Sequence, residues 1–179
     1  MQLHVHSDAS YLTENKSRSR GGGHFFLSSK ADDPNRQPKP NDPMPPDNGA
    51  VLNVSPIMKP VFASVAEAEL GALFFNGQDA DHMKIALEEM NHLQDPIPMV
   101  TDNSTASGIS NKTVKQRRSK AIDMRFYWLQ DRVEQGRFLI YWRPGSDNRA
   151  DYFTKDHAVH HHRKVRPVYL HKRKVRRYT

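Results

Sequence analysis

Hydrophobic and polar positions alternate almost from the first residue. Leu3 and Val5 alternate with His4 and His6 across residues 2–9, the two-residue period of a half-buried strand. A polar stretch, Tyr11 to Arg20, then leads through Gly21-Gly22-Gly23 into His24-Phe25-Phe26-Leu27-Ser28, a second strand. Three glycines together permit a sharp turn and also point to a bulge or a close backbone approach. Val51-Leu52-Asn53-Val54 and Pro60-Val61-Phe62-Ala63 read as a third strand interrupted by Pro56 and Pro60. Ser64 and Glu67 have the spacing of a capping box, and Leu70, Leu73 and Phe74 continue a buried helical stripe. A further helix is predicted over roughly Ala80–Leu93, and a short strand over Met99-Val100-Thr101-Asp102. A polar helix start follows at Asn103-Ser104. Helical spacing resumes over Ile122 to Glu134 and ends at Gly136, a C-cap. Arg137 to Trp142 is a strong strand, 144–148 a turn, and Arg149 to Lys155 the opening of a last helix. Three strands, helix, strand, helix, strand, helix describe a mixed α/β sheet.

Composition narrows the class. With 179 residues, 36% hydrophobic and 26% charged, the chain is of single-domain size and too apolar for wholesale disorder. No run approaches 18 apolar residues and the start lacks a signal-peptide layout, so no membrane association is expected. The absence of cysteine excludes thiolate metal sites and fits an intracellular setting, cytoplasm or nucleus. Residues 31–50 carry six prolines and four aspartates and read as an exposed, acidic loop inserted in a hairpin. The net charge of +7 is concentrated at one end. Residues 157–179 hold eight Lys or Arg and no acid, while the other 156 residues carry 19 bases against 20 acids. The expected organisation is a domain over 1–156 and a flexible basic tail over 157–179. The tail's charge points to a polyanionic partner, most simply nucleic acid. His157, His160, His161 and His162 lie in that tail with no predicted element to fix them, so metal binding is not expected there.

Four acids stand where ligand sites collect in an α/β sheet, at strand ends and helix starts: Asp8, Glu69, Asp102 and Asp151. Carboxylates with neither Cys nor paired His suit a hard cation such as Mg²⁺ rather than zinc. Taken singly, an acid in such a position is more often a cap, a turn residue or a surface charge. Glu67, two residues from Glu69, points to another side of its helix, and capping accounts for it.

The segments around the four acids occur in one order: Ser7-Asp8-Ala9-Ser10, Ala66 to Leu70, Thr101 to Ala106, and Asn148 to Lys155. With Arg118 to Phe126, they resemble the ribonuclease H domain of Ty1/copia-type retrotransposon polyproteins, over roughly residues 2–156. The resemblance implies a ribonuclease H-like fold, a five-stranded mixed sheet flanked by helices. It also implies hydrolysis of the RNA strand of RNA–DNA hybrids with two Mg²⁺ ions, or Mn²⁺ in their place, and a reverse transcriptase domain of the same polyprotein as partner. Asp8 would bridge the two ions, Asp151 would share the one that activates water, and Glu69 and Asp102 the one that stabilises the leaving oxygen. Substrate contacts are expected from Ser10, Asn103 and Ser104, and from the basic run Lys112, Lys115, Arg117, Arg118 and Lys120, which is suited to tracking phosphates. The chain departs from many relatives in having no His in the 142–148 loop before the last Asp, and in having Ala121 where the family has His. Two alternatives stay open: an integrase- or transposase-like core using Asp8, Asp102 and Glu134, and a non-catalytic nucleic-acid-binding module.

Overall fold

The computed structural model describes residues 1–46, 48–114 and 123–170. Five strands form one sheet in the order β3-β2-β1-β4-β5: β1 (Gln2–Glu14), β2 (Arg18–Ser28), β3 (Ala50–Val54), β4 (Ile97–Thr101) and β5 (Phe138–Trp142). β1 pairs antiparallel with β2, which pairs antiparallel with β3, whereas β1–β4 and β4–β5 are parallel. The sheet is therefore mixed, as expected, with β1 at its centre.

The first hairpin is longer than the periodicity indicates. Residues 11–14 and 18–20 continue the two strands, and the chain reverses at Lys16 and Ser17, which have φ of 60° and 52°. A register shift between Ser10 and Glu14 accommodates Leu12, whose φ is also positive at 55°. The glycine triplet lies inside β2 and makes no turn. Gly22 pairs with Asp8, and a Cβ there would stand 2.7 Å from Thr154 Cγ2 and 2.8 Å from the Ala150 carbonyl oxygen. These glycines serve a close approach of backbones, not a reversal of the chain.

One helix, α1 (Val65–Glu89), replaces the two expected. Its polar middle looks like a break in sequence but is packed. Asn76 Nδ2 donates to Ser7 Oγ at 2.9 Å and to the Gly22 carbonyl at 2.8 Å, and Gly77 leaves room for Trp128 and Phe138. The cap forms almost as expected: Ser64 Oγ accepts from the Glu67 N–H, and Glu67 Oε2 accepts from the Ala63 N–H, one residue earlier than in the usual box. α2 (Ser104–Ser110) and α3 (Asp123–Glu134) join α1 on one face of the sheet. Leu3, Val5, Phe25, Met99 and Ile140 pack there with Leu70, Leu73 and Leu129. Pro60–Ala63 is not a strand; Phe62 instead packs into the core against Gly71.

The other face carries His4, His6, His24 and Phe26, whose rings stack or meet edge to face at 5.2–6.2 Å. The proline-rich segment crosses it as a strap and is not simply exposed. Arg143, 1% exposed, donates through Nη1 to the carbonyls of Pro40 and Asp42 at 2.7 and 2.8 Å. Arg149–Phe153 is a short 3₁₀ turn, not the start of a long helix. Within the basic segment expected over 157–179, residues 159–169 form a helix, α4 (Val159–Tyr169), and residues 171–179 lie outside the described residues.

Candidate active site

β1 places Asp8, a residue only 2% exposed, at the middle of the sheet. Asp102 follows β4 directly, next to β1, and Trp142 of β5 holds this crossing by donating from Nε1 to the Asp102 carbonyl at 2.8 Å. Asp151 arrives on the 3₁₀ turn, which is stitched to β1 by two long-range bonds. Asn148 Nδ2 donates to the Ser7 carbonyl and the Arg149 N–H donates to His6 Nδ1, each at 2.9 Å. In a 3₁₀ turn, residues three apart eclipse. Asp151 and Thr154 therefore both face Asp8, and Thr154 Oγ1 donates to Asp8 Oδ2. One carboxylate oxygen each from Asp8, Asp102 and Asp151 lies within 4.8 Å of the other two.

Glu69, in the second turn of α1, sits behind this trio at 3% exposure. Its Oε1 accepts from the Ala9 N–H at 3.2 Å, while its Oε2 is buried with no hydrogen-bond partner. Such an orphan acceptor beside three further carboxylates fits a divalent cation, because anions gathered in a poorly solvated pocket repel one another until a cation binds. The electrostatics agree. Burial, then proximity to Asp102 and Asp151, pushes Asp8 up to about 6 against the pull of the Thr154 hydrogen bond. Burial, with Asp8 and Asp102, holds Glu69 well above the ordinary glutamate value, and burial raises Asp102 as well. Lys155 Nζ pairs with Asp151. Although burial opposes its charge, the three aspartates hold its pKa above the ordinary lysine value.

The remaining expected contacts are distributed unevenly. Ser10 lies beside the cluster, its Oγ 2.6 Å from Thr13 Oγ1, on an open groove shared with Thr154 and Lys155. Asn103 caps α2 by accepting from the Ala106 N–H at 2.9 Å, and Ser104 is exposed on the first turn of that helix. Lys112 is exposed and pairs with Glu134. Lys115, Arg117, Arg118 and Lys120 lie outside the described residues. Glu134, the third acid of the integrase-like alternative, is 59% exposed at the end of α3 and is not part of the carboxylate group. Sequence reasoning missed Asn148, Thr154, Lys155 and Gly22. For Thr154 and Lys155 the available signal was their position three and four residues after Asp151.

No protein-family model matches the chain. Its sequence is similar to the retrovirus-related Pol polyprotein from transposon TNT 1-94 of Nicotiana tabacum, 28% identical over 107 residues. That match covers 60% of this chain and 8% of the polyprotein. The resemblance to copia-type polyproteins is thereby borne out, and the chain spans only a small part of the relative it matches. Among solved structures, the fold is similar to the N-terminal ribonuclease H domain of a Mycobacterium tuberculosis protein (TM-score 0.59, 14% identity, 86% of this chain and 90% of that one). It is also similar to LC11-RNase H1 in complex with an RNA/DNA hybrid (TM-score 0.57, 10% identity, 85% and 93%). A third is the RNase H1 of Halobacterium salinarum (TM-score 0.52, 14% identity, 86% and 94%).

Proposed function

The chain has the ribonuclease H fold, and from that premise we propose that it is a divalent-metal-dependent endonuclease that cuts the RNA strand of RNA–DNA hybrids. The observation that carries this reading is the convergence of Asp8, Asp102 and Asp151 within 4.8 Å at the centre of such a fold, with Glu69 buried against them. Likeness to a ribonuclease H1 solved with a hybrid supports the substrate. The similarity to a Pol polyprotein supports a reverse transcriptase domain as neighbour.

Asp8, Asp102, Asp151 and Glu69 would hold Mg²⁺, or Mn²⁺ in its place. The bound metal supplies Lewis-acid stabilisation of the attacking and leaving oxygens of an in-line displacement. The protein's own contribution is placement. Thr154 fixes the rotamer of Asp8, the Ala9 amide orients Glu69, and the bonds from Asn148 and Arg149 keep Asp151 against β1. Rigid support of this kind prevents the carboxylates from splaying apart when no cation screens them. Lys155 offers a cation on the open side of the cluster, where a scissile phosphate would lie beside the groove lined by Ser10. With no His in the 142–148 loop, no imidazole from there assists proton transfer.

The decisive assay is cleavage of a labelled RNA–DNA hybrid in Mg²⁺ by the wild-type chain and by Asp8→Asn. Cutting by the wild type alone, with duplex DNA spared and at least a ~100-fold loss in the variant, is expected, since the metal is worth several kcal/mol of transition-state stabilisation. Equal cutting by both proteins would reject the site. Hybrid binding by the wild type without cutting would favour the non-catalytic module.

A further inference from the structure

The helix after the carboxylate cluster has no role in the chemistry described so far. Its sequence, Val159-His160-His161-His162-Arg163-Lys164-Val165-Arg166-Pro167-Val168-Tyr169, contains three bases and no acid. A basic end of this kind in water is ordinarily a solvated charge run. Here it is docked. Tyr169 stacks on Tyr152 at 4.8 Å between ring centroids and donates from its hydroxyl to the Arg149 carbonyl at 2.6 Å. Tyr152 OH lies 2.8 Å from His162 Nδ1, and its ring stacks on His157 at 5.3 Å. Arg149 and Tyr152 belong to the same 3₁₀ turn as Asp151. The helix is thus tied to the backbone that carries an acid of the cluster, and its position relative to that acid is set.

The residues facing inward are His161, Val165, Val168 and Tyr169, all partly buried and spaced i, i+4, i+7, i+8 along one stripe. Arg163, Lys164 and Arg166 lie on the other side, exposed. None of the three forms an ion pair among the described residues, and the segment 157–170 has no Asp or Glu that would neutralise them. A dipole contact at the helix C-terminus explains Arg166 but not Arg163 or Lys164, which lie earlier. With 11 residues, α4 is about 16 Å long, which matches the rise of roughly five base pairs of a duplex.

We propose that the outer face of α4 is a second nucleic-acid contact surface, with Arg163, Lys164 and Arg166 pairing with the sugar–phosphate backbone of the duplex that extends beyond the carboxylate cluster. The proposal rests on the nuclease reading for the identity of that duplex and deepens it. The ligand it calls for is a regular array of phosphates, so the contact is indifferent to base sequence and to the 2′ hydroxyl. By holding the duplex at a fixed offset from Asp151, the helix also aids registration of the scissile bond.

The test measures binding without cleavage. The full chain, in EDTA, is titrated against a fluorescein-labelled RNA–DNA hybrid and the matching DNA duplex at several salt concentrations. The variant Arg163→Ala/Lys164→Ala/Arg166→Ala is expected to raise Kd about tenfold or more at ~0.1 M salt, on both duplexes alike. It should also flatten the slope of log Kd against log salt by roughly 2 to 3, close to one for each phosphate that is no longer neutralised. The charge-preserving variant Arg163→Lys/Arg166→Lys should keep the wild-type slope. A thermal midpoint within about 2 °C of wild type shows that the variants are folded. An unchanged Kd and slope in the triple variant would overturn the proposal. Loss of binding to phosphatidylserine vesicles with duplex binding intact would do the same. The two readings fail separately: a wild type that never cuts the hybrid but shows this salt slope loses only the nuclease assignment, and a chain that cuts while the triple variant binds normally loses only the α4 surface.

Discussion

Asp8 concentrates the energetic conflict of this molecule at a single residue. It is buried against two other aspartates, and its pKa of about 6 stands well above the ordinary 3.8. Between pH ~4 and ~6 the folded protein keeps a proton on Asp8 that the unfolded chain has already released. The stability of the metal-free protein therefore falls as pH rises through that window, by about 3 kcal/mol at most for this group. Glu69 and Asp102 are shifted in the same direction and add to the trend. Asp8→Asn should accordingly stabilise the metal-free protein at pH 7 by about 1–3 kcal/mol while abolishing cleavage. Urea midpoints of the two proteins at pH 4.5 and 7 measure this, and a variant less stable than wild type at pH 7 would contradict it. The four acids were legible as candidates, through the order of their neighbours in the sequence. Their mutual distances were not, because residues separated by 143 positions, such as Asp8 and Asp151, meet only through the sheet.

Among the elements, the strands and helix caps follow local rules, and the departures occur where tertiary packing outweighs them. Gly21-Gly22-Gly23 has the composition of a turn, yet it runs through β2 because the 3₁₀ turn needs to sit on that strand. Gly22→Ala would push a methyl into Thr154 Cγ2 and the Ala150 carbonyl, at 2.7 and 2.8 Å. Overpacking of this kind costs about 1–3 kcal/mol, and it displaces the turn that presents Asp151. The expected outcome is a lowered denaturation midpoint together with at least a ~10-fold loss of hybrid cleavage. A variant that loses stability but keeps full activity would show that Gly22 does not position Asp151. The polar middle of α1 illustrates the same principle. Asn76 and Gly77 resemble a helix break, but Asn76 satisfies Ser7 and Gly22, and Gly77 admits Trp128 and Phe138. No periodicity rule contains those partners.

For the molecule as a whole, the proposed metal-binding role of the carboxylate cluster would couple folding to metal. A cation that binds only the folded state stabilises it by RT ln(1 + [metal]/Kd), about 2.7 kcal/mol at 100 times Kd. For a chain of this size that corresponds to a rise in Tm of roughly 5–10 °C on adding Mg²⁺ at pH 8. At pH 5, where Asp8 is mostly protonated, the rise should be less than half as large, since proton and metal compete for the same oxygens. Differential scanning fluorimetry with Mg²⁺ and with EDTA at the two pH values reads this directly. An equal shift at both would place the metal elsewhere. No helix among the described residues is long and apolar enough to cross a membrane.

Period and order of elements, the capping of α1, the candidacy of the four acids and the basic character of the C-terminal end all follow from the chain read locally, because each depends on neighbours within a few residues. Three outcomes depend on packing across the sheet: the convergence of the carboxylates, the strap that Arg143 anchors over the second face, and the docking of α4 beside Asp151. Each of these joins segments about 20 to more than 140 residues apart. Such contacts arise from burial and hydrogen-bond satisfaction in the assembled fold, and no local propensity encodes them.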